Sequence, residues 1–294
     1  MKTGEEIIVV TGANAGIGFA TACGLARQGS SVVLVCRDPD RGKAALAAVS
    51  KLAVAAPQLF IADFALQSSV RKLSRKLHEQ LPRIDVLINN AGAAFARREF
   101  TAEGLEKTFA INHLAPFLLT NLVLDLIRKS SEGRVVNVTA GIPVSRSSFL
   151  ENLQGEKHYS QFNAYRSSKV GNILFTYELA RRLEGTGITV NCLHPGPVRS
   201  EFTRKAGGTL SLLSKILRPI MRSPEFGART PIYLATAAEV ARVTGGYFVN
   251  CRPKKSAAIT YDRVIAEEHW RISEELTLLN TGANRERRAL SPCE

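Results

Sequence analysis

Tyr165 and Lys169 stand four residues apart in the run Tyr-Arg-Ser-Ser-Lys, a spacing that puts a phenol and an ammonium on one face of a helix. A positive charge beside a phenol favours its ionised form, so the pair suits a proton donor and acceptor. Upstream, Thr11-Gly-Ala-Asn-Ala-Gly-Ile-Gly18 lies between an apolar run, Ile7 to Val10, and a helical pattern that begins at Phe19. That context reads as strand, tight loop and helix, with the loop's backbone N–H groups offered to a pyrophosphate. Gly12, Gly16 and Gly18 permit the turn and a close approach of backbone to phosphate, Asn14 and Ala15 complete the loop, and Ile17 anchors it in the core. Together the two motifs point to nucleotide-dependent redox chemistry.

The elements that position these residues follow from the hydropathy pattern. Strands are expected at Ile7–Thr11, Ser31–Cys36, Gln58–Ala62, Ile84–Asn89, Arg134–Val138, Thr189–Leu193 and Gly246–Asn250. Helices are expected between them, among others at Gly16–Gln28, Arg41–Lys51, Val70–Leu81, Leu105–Arg128, Tyr165–Leu183 and Phe226–Ala237. Such alternation produces right-handed βαβ crossovers and a parallel sheet covered on both faces. Runs such as Ile-Ile-Val-Val and Val-Val-Leu-Val are apolar throughout, as strands buried on both faces must be. The expected fold class is α/β: a single doubly wound Rossmann-type domain over residues 1–280, with a mostly parallel seven-stranded sheet and ligand at the carboxyl ends of the strands.

Two stretches interrupt the rhythm. Gly141 to Asn163 is a long connection, and Thr203 to Pro224 is an apolar-basic insertion whose leucines recur at helical spacing. Residues 203–224 are read first as a lid over an apolar substrate, next as packing on the domain edge, and third as a patch making weak contact with a membrane surface. Residues 281–294 are polar and Arg-rich and are expected to form a disordered tail.

The chain has 294 residues, 45% of them apolar, and a formal net charge of +13. The bases are dispersed over Arg71, Lys72, Arg75 and Lys76, over Arg97-Arg98, and over the tail, without interleaved aromatic residues. Solvated faces that attract anionic ligands fit this better than specific nucleic-acid binding. Five scattered cysteines form no metal-ligand spacing, so no metal is expected, and free thiols in a reducing cytoplasm are. No apolar run is long enough to span a bilayer, and the N-terminus enters the first strand with neither export signal nor anchor expected.

Several further motifs occur in order: Cys36-Arg-Asp38, Asp63, Asn89-Asn-Ala-Gly92, Asn112-His113, Asn152-Leu-Gln-Gly-Glu156, Asn172-Ile-Leu-Phe175 and His194-Pro-Gly-Pro-Val198. With the glycine loop and Tyr165-x-x-x-Lys169, the chain resembles the short-chain dehydrogenase/reductase superfamily over roughly residues 5 to 280, and within it the retinol dehydrogenase-like branch. The resemblance implies that Asp63 contacts the adenine and that Asn89, Ala91 and Gly92 line the cofactor. It further implies that Pro195, Gly196 and Val198 shape the carboxamide pocket, with Ser200 a possible extra contact. Lys169 would hold the nicotinamide ribose, and Asn112 would support it through water. His113 and His194 are expected to be structural. After the second strand, where NAD-preferring folds carry an acid, stand Cys36 and Arg37. A guanidinium grips a 2′-phosphate bidentately, so NADP(H) is favoured, and NAD(H) is possible if Asp38 takes the acid's role. The branch's oligomers, built on the long helices matching Leu105–Arg128 and Tyr165–Leu183, imply a homo-oligomer here.

One position departs from the branch. Its second serine after the fifth strand donates a hydrogen bond to the substrate oxygen, and Ala140 stands in that place, with Thr139 one residue early. Loss of one preorganised oxyanion donor costs ~2.7–4 kcal/mol, or ~10²–10³ in turnover. Thr139, Ser145, Ser147 and Ser148 are the candidates to fill the role. The expectation is an NADP(H)-dependent oxidoreductase moving hydride between nicotinamide and a carbonyl or alcohol of an apolar substrate, with Tyr165 as acid/base. The alternative is an NADP(H)-binding protein with little carbonyl turnover, serving as a regulator or as a specialised biosynthetic imine reductase or cyclase.

Overall fold

The computed structural model describes residues 6–141, 149–198 and 221–279. Strand β1 (Ile7–Thr11) lies beside β2 (Ser31–Cys36) and β4 (Val86–Asn89), with Val9 opposite both Val33 and Leu87. The full order is β3-β2-β1-β4-β5-β6-β7-β8, where β3 is Gln58–Ile61, β5 Arg134–Val138, β6 Thr189–His194, β7 Tyr247–Val249 and β8 Arg252–Pro253. All pairs are parallel except β7 with β8. The order reverses between β1 and β4, and the crevice at their carboxyl ends is the switch point of a doubly wound sheet.

The seven expected strands are present, and the sheet has an eighth. Asn250 and Cys251 both have positive φ, 51° and 60°, the geometry of a two-residue hairpin that folds Arg252–Pro253 back against β7. Pro253 is tolerated because it sits on the sheet's edge.

Alternate side chains of each strand face opposite layers. Ile8 and Val10 pack with Ala22, Leu25, Val49 and Leu234, from α1 (Gly16–Arg27), α2 (Pro39–Ser50) and α7 (Pro224–Thr236). Val9 faces Leu73 and Leu77 of α3 (Gln67–Gln80), together with Phe117 and Phe175. Phe117 belongs to α4, a continuous run through Lys107–Phe109, a π-helical turn at Ala110–Leu114, and Ala115–Leu122. A short α5 (Leu124–Arg128) follows, so the single helix expected over Leu105–Arg128 is interrupted at Val123. Phe175 belongs to α6 (Gln161–Arg182), which starts four residues before Tyr165 because the Ser160 hydroxyl accepts the Asn163 amide at 3.2 Å and caps it.

A further helix, α8 (Arg263–Thr277), runs along α6. Its buried Trp270 packs edge-on against Phe117, with ring centroids 4.9 Å apart, and lies 5.8 Å from Phe175. Part of the helical surface on which an oligomer was expected is thus covered by the chain's own α8. The expected lid is described only from Met221 onward, and the expected tail lies outside the described residues. Among the described residues no helix is long and apolar enough to cross a membrane.

Candidate active site

A cavity of about 570 Å³ opens at the switch point. Of the residues singled out above, Gly12, Asn14, Ala15, Gly16, Ile17, Gly18, Arg37, Asp63, Ala91, Gly92, Thr139, Tyr165, Lys169, Pro195, Gly196 and Val198 all line it. Asn89 and Asn112 do not.

At the phosphate end the backbone has no room for side chains. Gly12 has φ +68°, and a Cβ on Gly18 would lie 2.3 Å from Asn90 Nδ2 and 2.4 Å from the Gly12 carbonyl oxygen. No side chain caps α1 at Ala15, so its first-turn N–H groups are available to an anion in the cavity. The site therefore fits a pyrophosphate.

Next to this loop, at the end of β2, Arg37, Asp38 and Arg41 line the cavity together. Asp38 caps α2, its Oδ1 accepting the amides of Asp40 and Arg41 at 3.0 Å each. The Arg41 amide first, and then that of Asp40, hold the exposed carboxyl below its ordinary range. One oxygen of the acid considered for the ribose hydroxyls is thereby engaged. Arg41 escaped the sequence reading; its signal was its place three residues after a capping Asp, which aims the first turn of α2 at the carboxyl end of β2. Asp63 is also partly engaged, its Oδ1 accepting the Ala65 amide at 2.9 Å.

The Asn89-Asn90 pair divides its work. Asn89 ends β4 with its amide buried, Nδ2 donating to Thr120 Oγ1 and to Asn137 Oδ1 at 2.9 Å each. Its side chain therefore stitches strands to helix rather than lining the cofactor cleft. Asn90 is the residue that lines the cavity, with Nδ2 donating 2.8 Å to the Thr11 carbonyl.

At the other end Tyr165 and Lys169 share one wall, with the ammonium 5.9 Å from the phenol ring. Lys169 is buried, and its Nζ donates to the Val138 carbonyl at 3.0 Å. Burial pushes the Lys169 ammonium down to about 8 and the half-buried Tyr165 phenol up to about 12. The direction for tyrosine is opposite to that expected from a lysine neighbour, because desolvation by burial sets it. Asn112 stands behind this wall. Its Oδ1 accepts the Ala93 amide at 2.7 Å and its Nδ2 donates to the Ala93 carbonyl and to Ser168 Oγ, at 2.9 and 3.0 Å. A Cβ on Gly92 would lie 3.3 Å from Asn112 Oδ1 and 3.6 Å from Lys169 Nζ, so glycine is what lets these groups approach.

Ala140 is buried. The Thr139 hydroxyl donates to the Leu193 carbonyl at 2.9 Å. Its one proton is thus committed to the neighbouring strand, which argues against the expected substitution by Thr139. Ser145, Ser147, Ser148 and Ser200 lie outside the described residues. His113 and His194 do not line the cavity; burial lowers the pKa of both, that of His113 to about 4.

Residues 6–210 match the short chain dehydrogenase family. Retinol dehydrogenase 14 of Mus musculus is 39% identical over 283 residues, covering 92% of this chain and 85% of that protein. Among solved structures, an uncharacterised protein from Mycobacterium paratuberculosis superposes with a TM-score of 0.72 at 30% identity, covering 93% of this chain and 94% of that one. The RhlG/NADP active-site complex of Pseudomonas aeruginosa superposes with a TM-score of 0.66 at 27% identity, covering 84% and 94%.

Proposed function

The chain belongs to the short-chain dehydrogenase family, and on that footing we propose that it is an NADP(H)-dependent oxidoreductase acting on a carbonyl or alcohol of an apolar substrate. The observation that carries this reading is one cavity walled by the glycine-rich turn at one end and by Tyr165 with Lys169 at the other. A bound nicotinamide dinucleotide supplies or takes the hydride. Tyr165 gives its proton to the carbonyl oxygen as the carbon is reduced, and a phenol pushed up to about 12 holds that proton throughout the neutral range. Lys169 fixes the ribose end and, when charged, eases the phenol's return through its ionised form.

Arg37 and Arg41 favour the phosphorylated cofactor, since two guanidiniums flank the end of β2 while Asp38 is occupied with its cap. Ala94, Phe95, Ile111, Pro197 and Met221 supply apolar wall, which suits a retinoid-like, steroid-like or long-chain substrate. The relative named a retinol dehydrogenase agrees with that class. Cytoplasmic placement accords with four described cysteines that are all free thiols.

Purified protein should oxidise NADPH in the presence of apolar aldehydes or ketones, and Tyr165→Phe should abolish this. Replacing Arg37 and Arg41 together by Ala should weaken NADPH binding by ~10² and leave NADH binding nearly unchanged, since charged hydrogen bonds contribute ~1.5–3 kcal/mol each. Absence of turnover across a broad substrate panel, with NADPH still bound, would sustain the second reading, a cofactor-binding protein with little carbonyl chemistry. Ala140 and the committed Thr139 hydroxyl are what favour it.

A further inference from the structure

Asn112 owes its position to a chain of buried side chains that starts at Ser273, 161 residues away. In a regular helix its carbonyl would accept the N–H of residue 116. That residue is Pro116, which has no N–H and whose ring crowds the carbonyl four residues back. The backbone yields by opening the π-helical turn Ala110–Leu114, where the Ala115 amide bonds to the Ala110 carbonyl. The Asn112 carbonyl is left without its helical donor. Asn172 Nδ2, from α6, replaces that donor at 2.8 Å.

Asn172 is itself held. The Asn112 carbonyl can only accept, so Asn172 must turn its NH₂ toward it and its Oδ1 toward His113, whose Nδ1 lies 3.0 Å away and carries the proton. His113 Nε2 is then left to accept, 2.8 Å from Ser273 Oγ on α8, and the His269 carbonyl, 2.7 Å from the same hydroxyl, competes for its one proton. Asn112, His113, Asn172 and Ser273 are all buried. From Asn112 the path to the site is short: its side chain clamps Ala93 through two bonds and holds Ser168, whose hydroxyl donates to the Tyr165 carbonyl at 2.7 Å.

We infer that Asn172, oriented by His113 and Ser273, is a positioning residue: it stabilises the proline-induced π turn and so fixes Asn112 against Ala93 and the Tyr165 helix. The catalytic part of this inference rests on the function proposed above; the positioning part does not. Asn172→Leu and Asn172→Asp both keep the branched heavy-atom shape of Asn172, leucine with a larger volume and aspartate with nearly the same one. Leucine removes the donor, and aspartate sets an acceptor against the Asn112 carbonyl.

Amide hydrogen exchange reads the positioning without turnover. The Ala93 amide, bound to Asn112 Oδ1, should exchange about tenfold faster in Asn172→Leu and faster still in Asn172→Asp, while the Val9 amide in the central strand stays protected. In the same variants kcat should fall about tenfold with the KM for NADPH nearly constant, because the glycine-rich turn, Arg37 and Arg41 are untouched. Should either Asn172 variant fail to fold, Ser273→Ala decides through the same Ala93 amide, with a smaller rise expected. Unchanged Ala93 exchange in a folded variant overturns the inference. Faster Ala93 exchange in a protein whose wild type has no turnover would uphold the positioning and reject the oxidoreductase reading.

Discussion

Lys169 burdens the fold it serves. Its ammonium is buried and its pKa falls from 10.5 to about 8, so at pH 7 the folded state holds a charge it would shed more readily than the unfolded chain. At 1.36 kcal/mol per unit, that shift destabilises the apoprotein by about 3 kcal/mol at neutral pH. Lys169→Met keeps the length of the stem and removes the charge. It also leaves the Val138 carbonyl, now bonded to Nζ at 3.0 Å, without its donor, at a cost of about 1–2 kcal/mol. The variant should therefore be about 1–2 kcal/mol more stable than wild type at pH 7 and have lost turnover. The sign of the pH dependence follows from proton counting. Between about 8 and 10.5 the unfolded chain binds more protons at this group, so wild-type stability from it rises with pH. The advantage of the variant should shrink by about 1 kcal/mol at pH 9 and by about 2–3 kcal/mol at pH 10. Urea unfolding of nucleotide-free protein at three pH values measures this, and other groups titrate alike in both proteins and cancel. A stability difference independent of pH, or a variant less stable at pH 7, would refute the desolvation argument.

Two other substitutions probe the same cavity. Ala140→Ser restores a hydroxyl where the branch carries one, and it should raise kcat for a simple ketone by ~10² or more; a gain of less than a few-fold in a steady-state assay would mean that another group already serves. Gly18→Ala drives a Cβ to 2.4 Å from the Gly12 carbonyl oxygen. It should cost ~1–3 kcal/mol in thermal unfolding and weaken NADPH binding in calorimetry, and unimpaired binding would show that the loop can yield.

What could be read from the chain, and what could not, has a physical pattern. The strands were legible because Ile7 to Val10 and Val32 to Val35 are continuous β-branched and aliphatic runs, a composition that doubly buried strands demand. The α8 helix carries a sign as well, Ile265, Ile272 and Leu276 at helical spacing against the core, but the rest of its buried face, His269, Trp270, Ser273 and Thr277, is polar or bulky and its partner α6 is not visible in the pattern. The π-helical turn in α4 did carry a sign, Pro116 inside a helical pattern, but the consequence needed Asn172, 56 residues on, to become visible. Asn89 and Asn90 are adjacent and of one type. Strand alternation sends the first into the layer of Thr120 and leaves the second, just past β4, at the cleft. Arg41 reads in the sequence as an ordinary helix residue, since nothing in its type shows that the first turn of α2 faces a cavity.

The opposed behaviour of Tyr165 and Lys169 bears on direction. From spacing alone, a lysine one turn away argues for a phenol made acidic. In the folded cleft both groups are pushed toward their neutral forms, the phenol up to about 12 and the ammonium down to about 8, because each loses more hydration than it gains from the other at 5.9 Å. A neutral phenol is a donor that needs no prior protonation, which is the state required to begin reduction of a carbonyl. On the function proposed above, oxidation of an alcohol starts from the phenolate and reduction from the neutral phenol that burial favours, while Ala140 brings no hydroxyl of its own to the substrate oxygen.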